Sequence, residues 1–116
     1  VTDFSLEVVE VSGSVRLVFR GELDADSVST ANRALAELLE RGPGRVTIDL
    51  RGLDFMDSVG VKFLIDGRDA ARERGIDLAL AYEEGVVERV LTVSGVARLF
   101  IRQDAADGQD GSAESE

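Results

Sequence analysis

Between residues 46 and 67 the chain changes its periodicity across one short joint, VTIDLRGLDFM followed by DSVGVKFLIDG, and this joint constrains the fold more than any other stretch. Val46, Ile48 and Leu50 alternate with Thr47 and Asp49, the period-2 pattern of a strand, and the β-branched residues suit a pleated surface. Leu53, Phe55 and Met56 then carry apolar bulk across a short connection. Asp57 stands where an N-cap is needed: its carboxylate can accept from the unpaired N–H groups of the next turn, which makes Ser58 the first helical residue. A hydroxyl there sits where unpaired N–H groups and the helix dipole concentrate positive partial charge, a setting that favours an added phosphate. Asp-Ser before an apolar-periodic run is, by itself, an ordinary capping signal.

The flanking sequence supplies a sheet for this joint. Phe4, Leu6 and Val8 alternate with Ser5 and Glu7, and Ser12-Gly13-Ser14 turns the chain into Val15, Leu17 and Phe19, which predicts a β-hairpin. Residues 21–27, GELDADS, end the second strand and supply caps for a helix with Val28, Ala31, Leu35, Leu38 and Leu39 on one face. Gly42-Pro43-Gly44 stops that helix, and a third strand runs from Arg45 to Leu50. The helix from Ser58 gathers Gly60, Phe63, Leu64, Gly67 and Ala71 on one face, with small residues that permit close approach to a sheet, and Gly75 caps its end. Ile76, Leu78 and Leu80 mark a fourth strand; Val87, Val90, Leu91 and Ser94 a short helix; Leu99, Phe100 and Ile101 a last strand.

The order ββαβαβαβ predicts an α/β domain: a mixed sheet, with an N-terminal hairpin and then parallel strands joined by right-handed crossovers, packed with helices. Residues 1–102 form that single domain. Residues 103–116 carry five carboxylates and no Lys or Arg, with nothing apolar to bury, and are expected to form a disordered acidic tail.

Composition narrows the function. The absence of histidine removes Ser-His-Asp hydrolysis, the commonest general base and the usual zinc ligands, and the absence of cysteine removes thiol nucleophiles, thiolate metal sites and disulfides. A net charge of −10 repels nucleic acid and anionic lipid, leaving a protein as the expected partner. No apolar run has the length of a membrane span and no secretory signal is apparent, so a cytoplasmic protein is expected.

Topology brings separated residues to one edge. Strands two and three, joined by a crossover, point the same way, so residues 21–27 and 51–58 share the carboxyl edge, where open α/β sheets place their sites. Glu22, Asp24, Asp26, Asp54, Asp57 and Ser58 could share an acidic rim with Glu83 and Glu84 of the 82–85 loop, or could be no more than a solvated rim of helix caps. A magnesium site with Asp as phosphoacceptor wants a lysine late in the chain, and the single lysine is Lys62. Glycosidase-type carboxylates would lack an aromatic platform, with no Trp and one Tyr. No GxxxxGK[ST] or GxGxxG loop is present. No enzymatic activity, cofactor or metal is expected; Ser58 is instead a candidate substrate for another protein's kinase activity.

The pattern FRGELD…A, VTIDL, LDFMDSVG and RVLTVSGVARLF resembles the STAS-domain anti-sigma factor antagonists over residues 4–102. The resemblance implies a STAS-like fold and a partner-switching role. In that family the serine after the motif's Asp, here Ser58, is phosphorylated by the partner anti-sigma factor, a serine kinase. Unphosphorylated antagonist binds the anti-sigma factor and frees a sigma factor, and a phosphatase resets the switch. By the same resemblance Asp24 matches the acidic residue beside the phosphoacceptor, and Asp57, Ser58, Val59, Gly60 and Lys62 belong to the partner-binding turn and helix. Related STAS proteins serve instead as scaffolds of sensory assemblies or accessories of lipid transporters. This chain departs from the family in having Val59 where a second Ser or Thr is common, and Lys62 where a small residue is frequent. Lys62 follows Ser58 at i+4, a spacing that could serve a phosphate or a partner carboxylate, or leave an ordinary solvated lysine.

Overall fold

A computed structural model describes residues 3–103. Strands β1 (Ser5–Val11) and β2 (Ser14–Leu23) form the expected hairpin, followed by α1 (Val28–Glu40), β3 (Arg45–Met56), α2 (Ser58–Glu73), β4 (Asp77–Ala81), α3 (Val86–Val93), a single 3-10 turn at Ala97–Leu99 and β5 (Ile101–Gln103). The sheet order is β1-β2-β3-β4-β5, with β1 antiparallel to β2 and every later pair parallel. Each crossover steps the same way across the sheet, and right-handed connections then bring successive helices to one face. Accordingly α1 packs against β2 and α2, and α2 against β3 and β4.

The alternation read from the sequence decides which face is covered. Val15, Leu17 and Phe19 on β2, Val46, Ile48 and Leu50 on β3, and Leu78 and Leu80 on β4 are all buried, with Val15, Val46 and Leu78 in one lateral row and Leu17, Ile48 and Leu80 in the next. All five residues named for the apolar face of the Ser58 helix are buried in α2, as are Ala31, Leu35, Leu38 and Leu39 in α1. Phe63 stacks at 5.8 Å on Phe19, which meets Phe4 edge-on at 5.2 Å, so three aromatic rings fasten β1, β2 and α2. Burying one such ring contributes roughly 1.5–3 kcal/mol.

The opposite face carries Arg16, Thr47, Asp49 and Arg51. Asp49 is 3% exposed and is held by Arg16 at 3.1 Å and by Arg51 at 2.6 Å, with the Arg51 backbone N–H donating to its second oxygen. Burial by itself would raise the Asp49 pKa. The hydrogen bonds from Arg51 and the positive charges of Arg51 and Arg16 outweigh that and hold it below the ordinary carboxylate value.

Four boundaries differ from expectation, each for a physical reason. The third strand does not stop at Leu50 but continues to Met56, because its extension pairs with Arg20–Leu23 through two register shifts. The fourth strand begins at Asp77 rather than Ile76, since Ile76 closes α2: its N–H donates to Ala71 and that of Gly75, at φ +71°, to Arg72. The Leu99–Ile101 strand is displaced to Ile101–Gln103 by the 3-10 turn. Ser27 does not cap α1 with its side chain; its hydroxyl donates to the Glu22 carbonyl, 2.8 Å away, and accepts from the Asp24 N–H. Gln103, counted with the tail on sequence grounds, instead ends β5 and accepts from Arg45 Nη1 at 3.2 Å, while residues 104–116 of the expected acidic tail lie outside the described residues.

Candidate functional site

The site is the point where β3 becomes α2 without an intervening loop. Met56 ends the strand, Asp57 is the N-cap and Ser58 is the first helical residue. Asp57 has extended backbone geometry, which lets its carboxylate fold back to accept from the Val59 N–H at 3.0 Å, while its carbonyl accepts from the Val61 N–H. Ser58 is exposed, and Asp57 and Val59 on either side are half-buried. The hydroxyl is thus presented at the helix head by a joint that is itself anchored.

Gly60 explains how the helix comes so close to the strand ends. A Cβ at that position would strike Met56 Cγ and lie 3.2 Å from Leu23 Cδ2, so α2 can seat against β2 and β3 only with hydrogen there. Leu23 and Met56 are direct partners in the β2–β3 ladder. The residue that follows each strand is a carboxylate, Asp24 after β2 and Asp57 after β3, so both leave the same end of the ladder. Asp24 is fixed by its own turn, accepting from the Asp26 N–H at 3.0 Å.

The structure therefore gathers Asp57, Ser58, Val59 and Gly60 at the head of α2, with Asp24 following the paired end of β2 at the same edge of the sheet. Beyond the last β3–β4 pair, Asp49 with Ala81, the 82–85 loop carries the exposed Glu83 and Glu84 into α3, which packs against β3. Lys62 is exposed on α2 and its ammonium contacts Asp66 at 2.6 Å, one turn onward, rather than reaching back to Ser58. Among the described residues no group of three or more His, Cys, Asp or Glu side chains is placed to hold a metal ion, and no helix is long and apolar enough to cross a membrane.

One residue of this region escapes the sequence pattern. In a regular strand Leu53 and Phe55 would share a face. Here Gly21 pairs with Leu53 and Glu22 with Phe55, so Asp54 is an extra residue on β3, a bulge that reverses the alternation. Met56 consequently goes into the core at 1% exposure, while Phe55 remains 41% exposed beside Glu22. Gly52, the other interruption in the LRGLDFM run, marks the earlier register shift, and was the available signal.

Comparison with known proteins agrees with this geometry. The family model described as "Mlab, STAS domain" matches residues 6–102. Rv2638 of Mycobacterium tuberculosis, which bears a provisional name as an anti-anti-sigma factor, is 31% identical over 92 residues, covering 77% of this chain and 62% of its own length. The chain thus spans about three fifths of that relative. Among solved structures, an anti-sigma factor antagonist from Mycobacterium paratuberculosis superposes with a TM-score of 0.83 at 19% identity, covering 91% of this chain and 90% of the other. The Bacillus protein SpoIIAA, in its unphosphorylated form, gives 0.76 at 20% identity, covering 90% and 91%. At such identities the superpositions speak to the fold, and the family model speaks to descent: the chain belongs to the STAS domain family.

Proposed function

We propose that this protein is an anti-sigma factor antagonist, a regulatory binding module of the cytoplasm, which binds an anti-sigma factor with serine-kinase activity and so releases a sigma factor. Phosphorylation of Ser58 switches it off, and a phosphatase restores it. The observation that carries this reading is the exposed Ser58 at the head of α2, flanked by the Asp57 cap, with Asp24 following the Leu23–Met56 pair at the same edge of the sheet. The provisional name of the Mycobacterium tuberculosis relative and the names of the structural neighbours point the same way.

The mechanism follows from charge. A phosphate adds roughly −1.5 to −2 charges. The helix dipole favours it, but the Val59 N–H is already engaged by Asp57, so the phosphate shares the helix head with one carboxylate, with another, Asp24, at the same edge of the sheet. A partner surface fitted to a neutral hydroxyl at this edge then meets a dense anionic cluster, and the complex dissociates. A loss of about 2.7 kcal/mol is a hundredfold in affinity, enough for a switch.

The test is to incubate the protein with ATP and the anti-sigma kinases of its host and to map phosphate by mass spectrometry. Phosphate on Ser58, wild-type binding by Ser58→Ala without phosphorylation, and binding weakened by about tenfold or more in Ser58→Asp are expected. Wild-type affinity for the Asp variant would overturn the charge mechanism. Binding by no kinase at all would favour a STAS scaffold or transporter accessory instead.

A further inference from the structure

We propose that Phe55 is the apolar anchor of the partner-docking surface, and that the surface takes a basic segment of the kinase carrying a pocket for this ring; the inference rests on the function proposed above. The β3 bulge at Asp54 leaves Phe55 exposed in a chain that could have buried it with one residue fewer. Bulges beside functional sites commonly re-aim a side chain in this way. Aromatic residues, Phe among them, are enriched in protein interfaces relative to the rest of the surface.

The surroundings select the partner's chemistry. Residues 21–27 and 52–61 contain Glu22, Asp24, Asp26, Asp54 and Asp57 and no Lys or Arg. Glu22 is the ladder partner of Phe55, and Asp54 and Asp57 lie within two residues of it. Lys62, the first cation along α2, is committed to Asp66. Arg20, two residues before Glu22, is paired with Glu7 at 3.3 Å. An apolar ring in this predominantly acidic stretch complements a surface with an apolar cleft rimmed by Arg or Lys, and such pairing steers association as well as fixing register. Phe55 also lies three residues before Ser58 across a rigid strand-to-helix joint, so a partner that seats the ring holds the hydroxyl in a set position.

The experiment compares wild type, Phe55→Ala, Phe55→Leu and Asp26→Asn for affinity and for phosphorylation by the kinase that modifies Ser58, at low and at physiological salt. Phe55→Ala should weaken binding at least tenfold and raise KM with little change in kcat, while Phe55→Leu recovers most of the loss. Asp26→Asn should weaken binding two- to fivefold at low salt and less at high salt. Because Phe55 is exposed, circular dichroism and thermal melting should show all variants folded; Phe55→Leu keeps the test decisive if Phe55→Ala is not. Wild-type affinity in both Phe55 variants, with wild type itself bound, overturns the docking inference and leaves the switch at Ser58 standing. If wild type binds none of the kinases, the function and this inference fall together.

Discussion

Asp49 shows how a carboxylate distant from the site can govern whether the fold persists. It is buried between two guanidiniums, and its folded pKa lies below the ordinary value because the Arg51 and Arg16 interactions outweigh the cost of burial. A depressed carboxylate contributes stability that is fully present above its unfolded pKa, near about 3.9, and is lost as pH falls through the lower folded value. Asp49→Asn should therefore cost about 1–3 kcal/mol at neutral pH. The gap in melting temperature between wild type and variant should hold steady from about pH 8 to pH 5 and narrow below about pH 4. Thermal melts across that range check it, and a gap that stays constant into acid would mean that the contacts of Asp49 stabilise without its charge. Ser58 is the opposite kind of residue, exposed at the head of α2, and Ser58→Ala should leave the melting temperature nearly unchanged.

At the level of elements, the helices seat through small residues, and the consequences are measurable in pairs. A Cβ at Gly67 of α2 would lie 2.7 Å from Leu35 Cδ2 of α1. Gly67→Ala should destabilise by about 1–3 kcal/mol through overpacking, while Leu35→Ala opens a cavity at a cost of about 2–5 kcal/mol. In the double variant the new methyl enters the space that Leu35 vacates, so the combined loss should fall short of the sum by about 1 kcal/mol or more. Strict additivity in urea titrations would show that α1 and α2 separate freely. This contact was foreshadowed in the sequence, where Gly60 and Gly67 share the apolar face of α2, because helix faces follow from a local period. The parallel direction of the later strands followed from the crossovers, and the Asp57 cap from a single residue. The extension of β3 was not legible, since Gly52 and Asp54 interrupt its alternation and only the register of β2 shows that pairing continues through them. The same bulge hid Phe55, whereas the common edge at which β2 and β3 end could be anticipated, because a crossover makes the two strands parallel.

Among the described residues, the buried core runs from Val15 to Val96. The net charge is less evenly spread: of the −10 total, residues 104–116 contribute five carboxylates and no cation, so deleting them leaves −5. Stability and attraction can therefore be separated by one truncation. Removing residues 104–116 should leave the melting temperature within about 2 °C of wild type, because every core side chain is retained; a 1 kcal/mol loss would shift a domain of this size by about 4 °C or more. Association with a basic partner is another matter, since long-range steering scales with total charge. At low salt, where the Debye length is about 30 Å at 10 mM, the truncated protein should associate several-fold more slowly. At about 150 mM, with a Debye length of about 8 Å, the difference should nearly vanish. The dissociation rate should be unchanged at both salts, because it depends on the contacts around Ser58 and Phe55, which the truncation leaves intact. Stopped-flow binding at the two salt concentrations separates these effects. A faster dissociation would show instead that residues 104–116 touch the partner directly.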